Sequence, residues 1–237
     1  MHYNKLNDKG ISIILPAFNE EKNIKSAVED IDNFIKILTQ NYEIIVVNDG
    51  SADGTKIILE QIARENNKIK IINFDSNKGY GCALKTGFNA AKFEYLFFTD
   101  SDRQFDISNI WYMLPYMNDF DIVIGYRIKR NDSLKRIIAS KGYNLLCKFL
   151  FNLNVRDIDC AFKMFNKKIF DLIKIESERF FVNTEILAKA CKYNLSIVEI
   201  PVLHFPRKVG YSSVCISDIF RTLKEISKLF FKIKKSS

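Results

Sequence analysis

Tyr95-Leu-Phe-Phe-Thr99, running directly into Asp100-Ser-Asp-Arg-Gln104, decides how this chain is read. Five apolar, β-favouring residues are too few for a helix and read as a buried strand. In extended backbone, residues i and i+2 point to the same side, so Asp100 and Asp102 project together from the strand end. Two carboxylates placed this way form a seat for a hard divalent cation, Mg²⁺ or Mn²⁺, and Gln104 offers another oxygen two residues on. The same pattern recurs towards the N-terminus. Ile11 to Leu15 ends in Pro16-Ala-Phe-Asn-Glu20, Tyr42 to Val47 in Asn48-Asp-Gly-Ser-Ala-Asp-Gly-Thr55, and Ile69 to Phe74 leads to Asn77-Lys-Gly-Tyr-Gly81. Amphipathic stretches of helical length separate these runs. That alternation predicts an α/β fold with a mostly parallel central sheet flanked by helices. Ligands in open α/β sheets bind at the carboxyl ends of strands, so the four polar clusters are expected around one crevice.

Towards the C-terminus the spacing predicts strands over Asp121 to Gly125, Ala161 to Phe165 and Ser196 to Pro201, and helices over Leu134 to Phe151 and Phe181 to Tyr193. Cys215 to Ile233 places Ile216, Ile219, Phe220, Leu223, Ile226, Leu229 and Phe230 on one helical face. No repeat, low-complexity tract or Pro/Gly-rich linker interrupts the chain. The expected organisation is one domain over residues 1–210 and a basic amphipathic helix over 211–237.

The chain's 237 residues, 47% hydrophobic and 27% charged, exclude a disordered or fibrous protein. Its +8 net charge is concentrated: Arg127 to Lys168 holds eleven basic residues against Asp132, Asp157 and Asp159. Such a stretch calls for an anionic partner, a phosphate ligand, a membrane surface or a nucleic acid. No recognised nucleic-acid module accompanies it, and nucleic acid is set aside. Five widely spaced cysteines without a CxxC pair read as reduced cytosolic thiols. No run of about 18 apolar residues is present, so no segment is expected to span a bilayer.

Asp49, at the end of a buried run, is placed to accept hydrogen bonds from a nucleobase. The Gly79-x-Gly81 pair lets backbone approach a ligand closely, with Lys85 one turn on to meet phosphate. Leu84 breaks the G-x-G-x-x-G pattern and no G-x-x-x-x-G-K-[ST] occurs, which argues against dinucleotide-binding dehydrogenases and P-loop NTPases.

Together Leu15-Pro-Ala-Phe-Asn-Glu20, Val47-Asn-Asp-Gly-Ser51, Asp53-Gly-Thr55, Asn77-Lys-Gly-Tyr-Gly81 and Asp100-Ser-Asp-Arg-Gln104 resemble glycosyltransferase family 2. Gly125-Tyr-Arg127, Arg156-Asp-Ile-Asp-Cys-Ala-Phe162, Asn183-Thr-Glu185 and Glu199-Ile-Pro-Val202 extend the resemblance over nearly the whole chain, most closely to the dolichol-phosphate mannosyltransferases and bacterial polyprenyl-phosphate glycosyltransferases. The resemblance implies a nucleotide-diphospho-sugar transferase (GT-A) fold and an inverting, metal-dependent transfer from a UDP- or GDP-sugar to a polyprenyl phosphate. It places Pro16, Phe18, Glu20, Val47 and Asp49 at the nucleoside, and Asp100, Asp102 and Gln104 at the metal and diphosphate. Arg127, Arg136, Ser140 and Arg207 fall at the acceptor phosphate. Asn48 departs from the Asp of many relatives, and the membrane-spanning C-terminal segment of many bacterial relatives has no counterpart here.

A polyprenyl phosphate arrives with its nucleophilic oxygen already deprotonated, so positive charge matters more to it than a general base. A saccharide hydroxyl would instead need a carboxylate base, and Asp157 and Asp159 are the candidates. Both also suit ion pairing with Arg127, Arg136 or Arg156, and Glu185 is open in the same way. A third reading is a non-catalytic nucleotide-sugar-binding or membrane-surface module, against which the intact Asp-x-Asp speaks. The C-terminal helix either covers the domain or lies on the inner face of the cytoplasmic membrane with Arg221, Lys224, Lys228, Lys232, Lys234 and Lys235 near anionic head groups.

Overall fold

A computed structural model describes residues 9–128, 134–206 and 216–235. The first half alternates strand and helix: β1 (Ile11–Ala17), α1 (Ile24–Leu38), β2 (Tyr42–Asn48), α2 (Thr55–Glu65), β3 (Ile69–Asn73), α3 (Tyr80–Ala90) and β4 (Tyr95–Thr99). Every residue of β1, β2 and β4 is buried. Strands covered on both faces lose the apolar–polar alternation, which is why they read as continuous apolar runs. After short helical turns, including α4 (Ile110–Met113), come β5 (Ile122–Arg127), α5 (Leu134–Phe151), β6 (Phe162–Asn166), α6 (Ile169–Leu172), α7 (Val182–Lys192), β7 (Ile197–Val202) and α8 (Ile216–Lys235).

The seven strands form one sheet in the order β3-β2-β1-β4-β6-β5-β7. β6 runs antiparallel to both neighbours, pairing Phe98 with Lys163 and Ile124 with Lys163, while the other pairings are parallel. The carboxyl ends of β1, β2, β4 and β5 therefore share one edge of the sheet. Alternate strand residues feed two cores. Ile14, Ile45, Val47, Leu96, Phe98 and Phe165 pack with α3, α5, α7 and α8; Ile13, Leu15, Val46, Phe97 and Met164 pack with α1, α2 and α4.

α8 joins the first of these layers. Ile226 and Leu229 are buried in the core, the Phe230 ring lies 6.4 Å from Phe151, and Lys232 Nζ reaches Glu176 at 2.5 Å. Of the two readings of this helix, residues 225–234 follow the first: their apolar face covers the domain. No helix among the described residues is long and apolar enough to cross a membrane.

Candidate active site

The shared strand edge holds a cavity of about 290 Å³. Pro16, Phe18 and Glu20 enter it from the end of β1, Asp49 from β2, and Asp100, Ser101 and Asp102 from β4; Gly79, Tyr80 and Ala83 enter from the start of α3. Arg179 and Phe180, just before α7, close the remaining side. Four carboxylates and one arginine thus line the same space.

Local bonding fixes each wall. Ser101 Oγ donates to the Pro16 carbonyl at 3.0 Å and ties the tips of β4 and β1 together. Glu20 accepts from Asn23 Nδ2 at 2.7 Å through Oε2, while its backbone N–H donates to Thr55 Oγ1. The Asp49 carboxylate accepts the N–H groups of Lys78 (2.6 Å) and Gly79 (2.9 Å), so it shapes the glycine turn as well as facing the cavity. Its pKa is raised, burial outweighing these two bonds. Gly79 has φ 102°, and a Cβ there would sit 2.4 Å from the Glu178 carbonyl; at Gly81 it would sit 2.2 Å from that of Ser177. Glycine is therefore required where residues 177–179 lie against the turn.

Asp100 accepts from the Tyr80 hydroxyl at 2.8 Å, and the Tyr80 ring stacks on Phe180 at 5.5 Å. Burial, followed by the charge of Asp102, pushes the Asp100 carboxyl up to about 7; the Tyr80 bond and the Lys163 ammonium act in the opposite sense. Lys163 is fully buried on β6 beneath this cluster, donating to the Cys160 carbonyl and, at 3.0 Å, to Asn183 Oδ1. Desolvation lowers its pKa. Arg103 adopts φ 60°, which turns the chain after Asp102 and lets its guanidinium pair with Asp30 at 2.8 Å. Asp102 Oδ1 accepts the Gln104 N–H. The Gln104 side-chain amide donates to the Phe205 carbonyl at 3.0 Å and is absent from the cavity lining, so it anchors residue 205 to the loop after β4.

Among the described residues no three His, Cys, Asp or Glu side chains cluster as a self-sufficient metal cage. Asp100 and Asp102 fit the alternative arrangement, in which one or two carboxylates share a hard cation with the phosphate oxygens of a substrate.

Two nucleotide-side expectations are corrected. Val47 is fully buried in the core because its side chain points into the layer with α3, not to the strand edge. Lys85 is exposed and absent from the cavity lining, two residues and about 200° around the helix from Ala83. On the acceptor side, Arg127 is no free basic group. Its Nε and Nη2 donate to the two Asp157 oxygens at 2.6 and 2.7 Å, with both side chains only 8% exposed. The same fork gives Asp157 the ion-pairing that the sequence left open beside a base, and it raises the Arg127 pKa against the opposing effect of burial. Asp159 is half-buried, and its charge is felt at Tyr80 and Tyr143. Glu185 accepts the N–H groups of Glu176 and Ser177 and pairs with Lys189 at 2.6 Å, a bracing role for the segment that carries Arg179. Ser140 is half-buried on α5; Arg136 lies in the first turn of that helix, its side chain outside the described residues, as is all of Arg207.

The +8 stretch is thereby divided. Arg127 and Lys163 are internal, Lys167 donates to the Ala91 carbonyl, and Lys168 faces Asp121 at 3.4 Å. The last two sit at the sheet edge opposite the cavity, a consequence of the antiparallel β6.

Tyr80, Phe180, Arg179 and Lys163 were not singled out as site residues by sequence. Tyr80 lay within a quoted motif. The others carry no local signal, since a lone arginine or lysine ordinarily reads as solvated surface.

The family model described as "Glycosyl transferase family 2" matches residues 12–173. Glycosyltransferase AglD of Haloferax volcanii is 28% identical over 81% of this chain and 32% of its own length. Dolichyl-phosphate beta-glucosyltransferase of Dictyostelium discoideum is 29% identical over 84% of this chain and 67% of its own. Dodecaprenyl-phosphate galacturonate synthase of Rhizobium johnstonii is 26% identical over 93% of this chain and 66% of its own. The chain thus spans about a third of the first of these and about two thirds of the others. In structure it is similar to glucosyl-3-phosphoglycerate synthase from Mycobacterium tuberculosis, solved with Mn²⁺, UDP and glucosyl-3-phosphoglycerate. The TM-score is 0.73 at 17% identity, covering 95% of this chain and 80% of that one, a likeness that establishes a shared GT-A fold.

Proposed function

Because this chain belongs to glycosyl transferase family 2, we propose that it transfers a sugar from a UDP- or GDP-sugar to a polyprenyl phosphate, with inversion, at the inner face of the cytoplasmic membrane. The observation that carries this reading is the cavity where Asp49, Asp100, Asp102 and Arg179 converge on the strand ends. The names of two relatives, which specify dolichyl and dodecaprenyl phosphate, support the acceptor class. The Mn²⁺ and UDP in the structural neighbour support the donor class and a divalent cation.

In this reading residues 1–210 form the catalytic part. Pro16, Phe18, Glu20 and Asp49 bound the nucleoside, and Asp100 and Asp102 hold Mg²⁺ or Mn²⁺. The cation, when bound, offsets negative charge on the leaving diphosphate. Arg179 is the cavity's own cation and meets the same diphosphate. Tyr80 keeps Asp100 oriented. An acceptor phosphate oxygen attacks the anomeric carbon from the face opposite the diphosphate; the new C–O bond forms as the old one breaks, its electron pair leaving on the diphosphate. Arg136, Ser140 and Arg207 are assigned to the acceptor phosphate, and Arg127 holds the chain at the end of β5 to Asp157. No general base is needed, which suits an Asp157 locked in an ion pair.

The test is transfer of label from UDP- and GDP-sugars into a short polyprenyl phosphate, with Mn²⁺ or Mg²⁺, by wild type and Asp102→Asn. Cation-dependent, organic-extractable product that Asp102→Asn fails to make, while melting no lower than cation-free wild type, is the expected result. Near-normal turnover by that variant removes the assigned role of Asp102. Donor turnover with product only on a saccharide moves the acceptor to a hydroxyl.

A further inference from the structure

Residues 173–178, between α6 and the turn before α7, adopt neither helix nor strand, and this connection delivers Arg179 and Phe180 to the cavity. With no ladder to fix it, its course is set by tethers from three helices. From α7, the buried Glu185 carboxylate accepts the N–H groups of Glu176 at 3.0 Å and Ser177 at 2.8 Å, and Lys189 donates to the Lys174 carbonyl at 2.5 Å. From α3, the Cys82 N–H donates to the Glu178 carbonyl at 3.1 Å, and the Tyr80 ring stacks on Phe180. From α8, Lys232 Nζ donates to both Glu176 oxygens, at 2.5 and 2.6 Å.

The third tether is of a different kind. Glu185 and Lys189 are 2% and 8% exposed and hold the backbone from within the core. The Lys232 and Glu176 side chains are 58% and 53% exposed, and they lie 56 residues apart in the chain. α8 itself contributes nothing to the cavity lining. Its bond to Glu176 is nevertheless the leading cause of the lowered Glu176 pKa, ahead of burial and of Lys189. The backbone at this point answers to α7, and the Glu176 side chain answers chiefly to α8.

Glu176 stands three residues before Arg179, whose charge is felt at Asp49. An arginine side chain is long, so the place where its guanidinium meets a diphosphate depends on where the backbone beneath it is held. We infer that Lys232 and Glu176 are positioning residues for the donor site: the pair holds the connection that presents Arg179, so that the docking of α8 tunes the affinity of the cavity for a nucleoside diphosphate. The inference deepens the proposed function and rests on its reading of the cavity as a donor site.

The experiment is titration calorimetry of UDP and of GDP, each with Mn²⁺, on the full chain. Wild type is expected to bind one of the two, and Lys232→Arg to bind it equally well. Lys232→Ala is expected to bind about two- to fivefold more weakly, the range an exposed ion pair supplies. Lys232→Glu, which sets two carboxylates against each other, binds more weakly still. The melting temperature of Lys232→Ala stays within about 4 °C of wild type, the most that one exposed pair contributes in a chain of this size. Lys228→Ala, one turn earlier on α8 at an exposed lysine in no ion pair among the described residues, leaves affinity unchanged. The series is then repeated on Arg179→Gln, where it should flatten because no guanidinium is left to place. The inference is overturned if Lys232→Ala and Lys232→Glu bind as wild type does, if Lys228→Ala weakens binding as much, or if the series stays as steep without Arg179. A wild type that binds neither nucleotide refutes the donor-site reading and this inference with it; a wild type that binds while the series is flat refutes the positioning role alone.

Discussion

The pairing of Arg127 with Asp157 makes a sharp quantitative test. Two of the three guanidinium nitrogens meet the two carboxylate oxygens at 2.6 and 2.7 Å, and both side chains are 8% exposed. Asp157→Asn leaves the guanidinium charge buried without its counter-ion, and Arg127→Met does the same to the carboxylate. Breaking a buried pair from one side costs about 3–5 kcal/mol. For a chain of 237 residues, an unfolding entropy of roughly 0.5 kcal/mol/K converts this to a fall in Tm of roughly 6–10 °C. Arg127→Met/Asp157→Leu removes both charges and should recover most of the loss, since replacing a buried pair with apolar groups is often close to neutral. Calorimetry on wild type, the two single variants and the double variant compares one-sided with two-sided removal of the pair, and turnover supplies the second axis. A catalytic base at Asp157 predicts the opposite pattern, with Asp157→Asn losing turnover at unchanged Tm. An Asp157→Asn variant melting within about 1 °C of wild type would refute the structural role argued for this pair.

Other perturbations bear on the cavity. With cations chelated, the raised Asp100 pKa means that the folded chain keeps a proton which the unfolded chain releases near pH 4. Stability therefore falls as pH rises from about 4 to about 7. Asp102→Asn, lacking the neighbouring charge, should flatten that slope in melts at stepped pH; a slope identical in both proteins would sink the account. Gly81→Ala would place a Cβ 2.2 Å from the Ser177 carbonyl and should cost about 1–3 kcal/mol together with donor affinity. Gly142→Ala, on open helix surface with nothing within 4 Å, should be neutral or stabilising by up to about 1 kcal/mol. Arg179→Gln should weaken nucleoside diphosphate binding by roughly tenfold or more in titration calorimetry, from one lost charge-assisted contact, while Tm holds. Unchanged affinity would remove Arg179 from the diphosphate.

The strands and α5 were legible because burial on both faces writes itself as an apolar run and α5 carries a long helical pattern; Tyr95–Thr99 and Leu134–Phe151 match the expected bounds. The direction of β6 was not legible. Residues 162–166 read as a strand in either sense, and orientation is set by where the chain has been left by α5 and the following loop. The carboxylates of the cavity could be named from their positions at strand ends, since backbone geometry alone brings those ends together. Arg127 and Asp157 could not be assigned between catalysis and pairing, because residue type is identical for both and only the distance decides. Val47 misled for a related reason: a residue beside a motif shares its sequence neighbourhood but, with period-two alternation, not its face.

The segment carrying Arg179 and Phe180 lies against the glycine turn some hundred residues earlier in the chain, with the Ser177 and Glu178 carbonyls where no side chain fits. During synthesis the order of emergence matters. Once β4 and Asp102 have left the ribosome, the acidic walls exist, but neither the arginine nor the aromatic wall has been made. A nascent chain at that stage presents a crowd of like charges with nothing to close over it. On the proposed function, competence to hold a nucleotide would be acquired late in synthesis, when residues near 180 fold back onto the first β-α units, and a truncation before them should express a chain that does not capture donor.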